Sequence, residues 1–514
     1  MYVSRRQFIH SAAVTAAAWP LTVRAAQTPA VPGTGLFRHG VASGDPLTDR
    51  VILWTRVTPP ATRSATSPMD VLWQVATDEG LTQVVTRGTA PAASERDFTV
   101  KVDAGNLRPG RTYFYAFDTG GERSPVGRTK TLPERDTRRV RLGQVSCSNY
   151  PTGYFNVYRC LANRPDLDAV VHLGDYIYEF ATTQYVDRSI DRPVLPPGEL
   201  LTLQDYRTRY AIYRSDVDLQ DVHRVHPFIV VWDDHETAND AWSGGAGNHN
   251  DGEGDWKTRQ QAAYRAYLEW MPIRESNQSG IRLFRRFQFG DLADLIMLDT
   301  RGLRDQQVRG SDAAALAGPR RTLLGAEQEA WLFDMLRGSQ SAGTRWRVVG
   351  QQILFSPLTV PGMAVQKTDV WDGYPVARER VLDMLVRNRI SNVAILTGDI
   401  HSSWALDVPK NPWSGYDVKT GAGSLAIEIV APAVSSPPMF SSPAQRELAK
   451  ALQPLAHHLK FLDGDSRGYV LLDIGLDRLQ ADWYFVPTVT ERTDRESRAA
   501  SFVCERGSSR LVQQ

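Results

Sequence analysis

The sequence predicts a large α/β domain preceded by a small β-sandwich, and three observations support this fold class. Before the charged segment 133–139, short alternating strands follow one another without helices. After that segment, near-continuous apolar runs alternate with helical patterns. Three of these runs end in clusters of polar residues, at 173–178, 232–236 and 396–401. Ligands bind outside the carboxyl ends of strands in open α/β sheets, so the clusters predict a functional site.

Length and composition are those of a globular protein with two domains. At 514 residues the chain exceeds the size of one hydrophobic core. Hydrophobic residues make up 42% and charged residues 23%, close to average usage. The 59 Lys and Arg residues nearly balance the 58 Asp and Glu residues, which gives a formal charge of +1. A nucleic-acid binder carries a basic footprint, so we expect no specific nucleic-acid recognition.

The N-terminus resembles a bacterial twin-arginine export signal. An arginine pair at 5–6 precedes an aromatic residue, an Ala-rich apolar stretch to about Trp19 and a small-residue site at 23–26. An arginine pair on a frayed terminus is the alternative, but these features occur together and in order. We therefore predict a signal peptide at 1–26, export by the twin-arginine machinery and a periplasmic or extracellular location. No apolar stretch approaches the ~20 residues that span a bilayer, so no transmembrane segment is expected.

The region 33–132 is predicted to form a small fibronectin- or immunoglobulin-like β-sandwich. Strands at this spacing, without helices between them, are typical of such folds. The turn at 108–111 precedes Tyr113 and resembles the tyrosine-bearing turn of fibronectin-type modules, which is structural. The predicted strands are 51–57, 71–76, 98–102 and 113–117.

The region 138–486 is predicted to form the α/β domain. Its apolar runs are nearly continuous, which indicates strands buried on both faces beneath covering helices. The polar residues 487–514 are predicted to form a C-terminal tail, with a short helix as one option for 491–498. The predicted strands are 169–173, 227–232, 293–298, 346–350 and 393–396, and the predicted helices are 260–270, 326–336 and 376–387.

The first two polar clusters carry carboxylates directly after apolar strands. Asp175 and Tyr178 follow Gly174, and a tight turn would let both side chains face one ion. A lone Asp after a strand is more often a helix cap. In the second cluster, Asp234 and His235 would be costly against an apolar strand unless they were paired or metal-bound. A salt-bridged loop is the structural alternative.

The third cluster and one cysteine complete the candidate ligands. Asp399 and His401 are one residue apart, so their side chains point the same way in extended backbone. Cys147 follows the predicted strand 140–145 and adds a thiolate. The odd count of three cysteines leaves at least one thiol unpaired, and pairing of Cys160 with Cys504 stays open.

The chemistry of these side chains suggests two kinds of metal. A phenol has a reference pKa near 10, so a tyrosine ligand such as Tyr178 requires a strong Lewis acid, of which Fe³⁺ is the available candidate. Hard oxygen donors suit calcium, magnesium or manganese. A mixed site for iron and a hard cation follows as a hypothesis. The oxygen donors are Asp175, Asp234, Asn239 and Asp399.

Taken together, these motifs resemble the PhoD family of secreted alkaline phosphatases. The resemblance extends over nearly the whole chain beyond the predicted signal. It implies a metallophosphoesterase-like αββα sandwich that hydrolyses phosphate mono- and diesters with Fe³⁺ and Ca²⁺. Substrates would be small phosphate esters such as nucleotides, teichoic acids or phospholipids. The motifs are 146–148, 174–178, 232–236, 298–301, 398–403 and 463–469.

The resemblance also implies roles for individual residues. Asp175 would bridge the iron to a calcium that Asp234, Asp399 and Asn239 also hold. His235 would contact the phosphate and protonate the leaving oxygen, which makes His235, Asp175 and Asp234 the candidate catalytic residues. The implied iron ligands are Cys147, Asp175, Tyr178 and His401.

A metal-activated water would then attack phosphorus, without a phosphorylated serine. Two alternatives stay open from the sequence. One is a phosphodiesterase or phospholipase D-like hydrolase with the same site, and the other is an extracellular binding protein with an inactive metal site. The landmarks Asp299 and Arg301 are explained equally well by a buried ion pair that supports the sheet. Asn149, beside the candidate thiolate, is a further candidate for contact with phosphate.

Overall fold

We describe a computed structural model of the chain. It covers residues 35–60, 67–186, 189–275, 282–308, 312–359, 368–440 and 442–514, and the predicted signal peptide 1–26 lies outside them. Within these ranges, no helix has the length and apolar character required to cross a membrane.

Strands and helices of the described residues are numbered in chain order. The strands are β1 (Val41–Gly44), β2 (Val51–Arg56), β3 (Met69–Ala76), β4 (Val84–Ala92), β5 (Thr99–Ala104), β6 (Thr112–Thr119), β7 (Glu122–Arg123), β8 (Gly127–Lys130), β9 (Arg139–Val145), β10 (Ala169–His172), β11 (Pro227–Val230), β12 (Arg285–Phe289), β13 (Ala293–Met297), β14 (Trp346–Gly350), β15 (Val393–Thr397), β16 (Ser403–Pro409), β17 (Ser424–Val430), β18 (Leu459–Asp463), β19 (Arg467–Gly475), β20 (Arg478–Val486), β21 (Ser497–Glu505) and β22 (Val512–Gln513). The α-helices are α1 (Asn156–Ala162), α2 (Leu203–Tyr213), α3 (Val217–Val225), α4 (Trp256–Trp270), α5 (Ala313–Leu316), α6 (Gly325–Ser341), α7 (Pro375–Arg387) and α8 (Pro443–Leu452).

Two large sheets form the centre of the protein. Sheet I has the strand order β22-β21-β20-β19-β9-β10-β11-β1-β2-β5, and sheet II has the order β12-β13-β14-β15-β17-β16-β18. Strands β9, β10 and β11 are parallel to one another, as are β13, β14, β15 and β17. The carboxyl ends of each parallel set therefore meet at one edge of its sheet.

Side chains on the strands of sheet II point alternately toward sheet I and toward a layer of helices, so sheet II lies between the two. On β14, Val348 belongs to the large hydrophobic cluster that includes Leu142 of sheet I. The next residue, Val349, belongs to a second cluster with Leu336 of α6 and Leu385 of α7. Successive strand residues point to opposite faces, so sheet II packs on both sides. The predicted αββα sandwich is confirmed.

The N-terminal strands form a small β-sandwich with its own hydrophobic core, but one of its two sheets is continuous with sheet I. Strand β1 pairs in parallel with β11, and β2 and β5 extend sheet I beyond it. The remaining strands form a third sheet, β4-β3-β6-β7, with β8 on β6. Close approach explains this junction, since a Cβ at Gly44 would lie 2.7 Å from the Phe228 carbonyl oxygen. The boundary between 132 and 138 stays a prediction, while the sheet itself crosses it.

The short helix considered for 491–498 is wrong. Residues 497–505 form β21, which pairs antiparallel with β20 and buries Phe502 and Cys504. Upstream of β21, Glu496 bonds Arg164 and the Tyr469 hydroxyl. Polar side chains in this segment find partners remote in sequence, so local polarity did not indicate a free tail. Cys160 and Cys504 are not paired, since all three cysteines are free and buried.

Candidate metal centre

The predicted ligands converge where parallel strands of both sheets end. Cys147 follows β9, Asp175 follows β10 and Asp234 follows β11, all on sheet I. Asp399 and His401 follow β15 on sheet II. The parallel order makes neighbouring loops emerge side by side, so residues more than two hundred positions apart become neighbours.

One group of candidate ligands combines sulfur, oxygen and nitrogen. Ligand atoms of Cys147, Asp175 and His401 all lie within 4.8 Å of one another. The Tyr178 hydroxyl donates to Asp175 Oδ2 at 2.9 Å and lies 3.2 Å from His401 Nε2. The structure thus brings together the four residues expected to bind iron.

The hydrogen bonds of His401 decide which ring nitrogen faces this group. Nδ1 lies 2.9 Å from the Pro437 carbonyl oxygen, which can only accept a hydrogen bond. Nδ1 therefore carries the proton, and Nε2 presents a lone pair toward Tyr178 and Asp175. Such outer contacts commonly orient histidine ligands in metal sites.

Ser436, which the sequence analysis did not identify, holds Tyr178 in place. Its Oγ lies 2.7 Å from the Tyr178 hydroxyl and 2.9 Å from the Cys147 carbonyl oxygen. Ser436 lies in the loop after β17, and its backbone N–H also donates to the Cys147 carbonyl oxygen at 3.2 Å. A serine in a loop gives no sequence signal for this role, because both partners are far away along the chain.

A second group consists mainly of carboxylates. Ligand atoms of Asp175, Asp234 and His235 lie within 4.8 Å of one another, and so do those of Asp233, Asp234 and Asp399. Asp175 belongs to both groups and thus connects them.

The segment that carries Asn239 is tied to this acidic group, because the N–H of the next residue, Asp240, donates to Asp234 Oδ2 at 2.6 Å. The Asn239 N–H donates to Glu179 Oε1 at 2.7 Å, and its carbonyl accepts from Asn248 at 3.0 Å. The role of Asn239 as a calcium ligand stays a prediction.

Glu179 orients His235, a contact that the sequence analysis missed. His235 Nδ1 lies 2.7 Å from Glu179 Oε2, and Asn248 donates to the other carboxylate oxygen at 2.8 Å. Burial by itself would lower the pKa of His235, but the charges of Asp175, Glu179 and Asp234 raise it well above its usual value. Glu179 accepts the Nδ1–H of His235, which leaves Nε2 as the ring nitrogen available to a substrate.

Arg301 neutralises several of the buried carboxylates. Its guanidinium donates to Asp233, to both oxygens of Asp369 at 3.0 and 2.9 Å, and to Asp399 at 2.8 Å. The ion pair between Asp299 and Arg301 that was considered as an alternative does not occur among the described contacts. Asp299 Oδ1 instead accepts the Arg301 backbone N–H at 2.9 Å. Arg301 thus belongs to the site itself rather than to a remote support of the sheet.

Glu236 joins the loops after β10 and β11. Its Oε2 accepts the N–H groups of Asp175 at 3.0 Å and Asp233 at 2.8 Å, while Oε1 accepts the Tyr176 N–H at 2.6 Å. The loops approach closely at Gly174, which has φ +104° and where a Cβ would lie 2.4 Å from the Asp233 backbone nitrogen. Only glycine fits there. Glu236 and Gly174 therefore set the spacing between the two acidic loops.

Several candidate ligands have strained backbones. Positive φ angles occur at Cys147 (62°), Asp175 (55°), Asp399 (64°) and His401 (50°). Residues other than glycine rarely adopt this region, and it costs of the order of 1–3 kcal/mol each. Such strain persists where the surroundings impose it, and it concentrates at functional sites.

The side chains present fit bound cations. Burial raises the pKa values of Cys147, Asp175 and Tyr178 well above their usual ranges, because charged forms are unfavourable there without a counter-charge. Among the described residues, the buried oxygen Oδ1 of Asp175 has no hydrogen-bond partner, whereas Oδ1 of Asp234 has the Arg301 guanidinium 3.4 Å away as an ion-pair partner. Buried polar atoms are nearly always satisfied, so the Asp175 oxygen points to a missing positive partner.

Comparison with known proteins identifies the family. The family model described as "PhoD-like phosphatase" matches residues 142–483, and the family model described as "PhoD-like phosphatase, N-terminal domain" matches residues 23–133. Alkaline phosphatase D of Bacillus subtilis (strain 168) is 38% identical over 491 residues, covering 92% of this chain and 82% of that protein. The solved structure titled "Structure of PhoD" is 36% identical, covers 93% of this chain and 92% of the other, and superposes with a TM-score of 0.85. The chain belongs to the PhoD-like phosphatase family.

Proposed function

We propose that this chain is an exported, metal-dependent alkaline phosphatase that hydrolyses phosphate mono- and diesters. Its family membership makes it a phosphoric ester hydrolase. The observation that carries the proposal is the pair of ligand groups that share Asp175, with His235 and its hydrogen-bond partner Glu179 beside them.

The two groups differ in the metal that they suit. Cys147, Tyr178 and His401, with Asp175, would hold Fe³⁺, because thiolate and phenolate favour a strong Lewis acid. Asp175 with Asp234, Asp399 and Asn239 would hold Ca²⁺, which prefers oxygen ligands. Bound there, these ions would lower the pKa of a water molecule and neutralise charge on the phosphoryl oxygens.

The chain's own residues supply proton transfer and orientation. Glu179 accepts the Nδ1–H of His235 and stabilises the imidazolium form, in which Nε2 carries a second proton that it would donate to the leaving oxygen of the ester. Arg301 donates charge-assisted hydrogen bonds to Asp233 and Asp399 and so holds both carboxylates in position. Catalysis then needs no covalent phosphoserine.

Replacing the shared carboxylate tests the proposal. Asp175→Asn should lower the rate on p-nitrophenyl phosphate by more than about 100-fold, because a ligand common to both groups is lost. Asp294→Asn is the matched control, since Asp294 is buried and pairs with Arg286 on sheet II. Full activity of folded Asp175→Asn would refute the proposal. Rates on a monoester, a diester and a phospholipid measured side by side would separate phosphatase from phosphodiesterase or phospholipase.

Elemental analysis and cell fractionation test the metals and the location. Protein exported through its own N-terminus should contain iron together with calcium or another hard cation. Zinc alone would contradict the ligand assignment. Recovery from the periplasm or medium, lost when Arg5 and Arg6 are changed to Lys, is expected for twin-arginine export.

A further inference from the structure

Two aromatic side chains stand at the rim of the metal centre. Tyr185 is among the exposed large side chains, at 37% of its maximal exposure, and Phe180 is half-buried. Their ring centroids lie 5.6 Å apart. Both belong to the segment that follows Asp175, so they reach the same edge of the sheets as the candidate ligands.

These rings contact the groups that would act on substrate. The Phe180 ring lies 5.2 Å from the His235 ring, and the Tyr185 ring lies 6.2 Å from the His401 ring and 5.8 Å from the Tyr178 ring. A single exposed aromatic residue needs no explanation. Here two rings flank one reactive centre, with Phe180 against the proposed proton donor.

Buried polar side chains hold the backbone that carries both rings, and the Tyr185 hydroxyl lies 3.0 Å from His401 Nδ1. Arg209, which is buried, donates to the Phe180 carbonyl at 3.0 Å and to the Pro196 carbonyl at 3.2 Å. Asn149 donates its side-chain N–H to the Tyr185 carbonyl at 2.9 Å. A surface fixed in this way binds a ring with little loss of conformational entropy. One side-chain N–H of Asn149 is thus bonded to Tyr185, whereas the sequence analysis considered Asn149 as a contact for phosphate.

We propose that Phe180 and Tyr185 form a leaving-group subsite for a planar aromatic ring, an inference that rests on the proposed phosphatase function. The phosphate of a bound ester would lie against the candidate ligands, and the group bonded to its leaving oxygen would extend toward the rim that the Phe180 and Tyr185 rings form. Aromatic rings pair favourably at centroid distances of 4.5–7 Å. The subsite therefore selects phosphate esters that carry an aryl ring or a nucleobase over simple alkyl esters.

Matched substrates test the subsite and distinguish the two kinds of ring. Adenosine 5′-monophosphate and ribose 5-phosphate share their leaving oxygen and differ in the base. Phenyl phosphate and ethyl phosphate form the second pair. For each pair we define the ring preference as the ratio of the two kcat/KM values. Comparing this ratio between variants cancels the intrinsic reactivity of each ester.

Phe180→Leu keeps apolar volume but removes the ring, and it should lower the ring preference about two- to twelvefold, the range expected for one aromatic pair. Tyr185→Leu should act in the same direction, while Tyr185→Phe should retain the preference because the ring remains. Phe180→Tyr should restore it if leucine disturbs the loop. Phe333→Leu on α6, remote from the rim, is the control and should leave the ratio unchanged.

The outcomes separate this inference from the proposed function. A fall in only the phenyl pair or only the adenosine pair supports the subsite and identifies the ring that it takes. An unchanged ratio for both pairs in active Phe180→Leu and Tyr185→Leu proteins overturns the subsite and leaves the phosphatase function standing. Absence of turnover of all four esters by metal-loaded wild-type protein overturns the proposed function instead.

Discussion

Replacing Glu236 with glutamine tests whether one buried carboxylate holds the two acidic loops together. The variant keeps the side-chain shape but loses the charge and one acceptor. Its amide oxygen can accept from Asp175 and Asp233, as Oε2 does in the wild type. The amide NH₂ then faces the Tyr176 N–H, which Oε1 accepts at 2.6 Å in the wild type. Because the amide NH₂ and the Tyr176 N–H are both donors, they cannot form a hydrogen bond with each other, and the buried Tyr176 N–H loses its partner.

The size of the effect follows from that lost bond. An unsatisfied buried donor costs about 1–3 kcal/mol. Because the cost is relieved by moving the Asp175 loop, it should appear as weaker metal binding. Loss of an outer contact typically costs a metal site about 10- to 100-fold in affinity, and each tenfold step corresponds to about 1.4 kcal/mol. The two estimates agree, so we expect Glu236→Gln to weaken metal binding about 10- to 100-fold.

Competition with a chelator measures the affinity, and thermal unfolding of metal-free protein measures stability. Glu428→Gln is the matched control. Glu428 is also buried and accepts the N–H groups of Phe355 and Ser356, both at 2.8 Å, in a loop without candidate ligands. It should lose stability with little change in metal affinity. Wild-type affinity in Glu236→Gln, or an equal loss of affinity in Glu428→Gln, would refute the reasoning.

Three further predictions concern other parts of the structure. Glu179→Gln removes the anionic partner of His235, so kcat for alkyl esters should fall about 10- to 100-fold. The loss should be smaller for p-nitrophenyl phosphate, because its leaving group needs no proton. An equal loss of kcat on both kinds of ester would contradict the proton-donor role of His235. Arg301→Met leaves buried carboxylates unpaired and should cost metal-free protein about 3–5 kcal/mol, measured by denaturant unfolding, with partial recovery in calcium. Ending the chain at residue 496 removes β21 and leaves the backbone edge of β20 unpaired, so the truncated protein should aggregate. A soluble, active product would show that β21 is dispensable.

Regular elements could be predicted where one pattern dominates. The expected strand 346–350 coincides with β14, and the expected helix 376–387 begins one residue late relative to α7. Buried strands and amphipathic helices carry their own periodicity, which does not depend on partners. The sharing of sheet I by the N-terminal strands was not predictable, because the pairing of Ser43 with Pro227 joins segments far apart in sequence.

Much of the candidate site could also be predicted from the sequence. Asp175, Asp234, Asp399 and His401 follow apolar strands, and parallel sheets gather such ends at one edge. The residues that support these ligands could not be predicted from the sequence. Glu179 and Ser436 act through hydrogen bonds to residues that only the fold brings near.

The sequence by itself determined the strand-end positions of the ligands and the types of atom that they offer, since both follow from residue identity and local apolar pattern. Only the tertiary structure decided which ligands meet, which nitrogen of His401 faces them and which carboxylates Arg301 neutralises. The reason is physical: pattern and donor type are properties of single segments. Distances, desolvation and pKa shifts arise when strands from two sheets end at the same place.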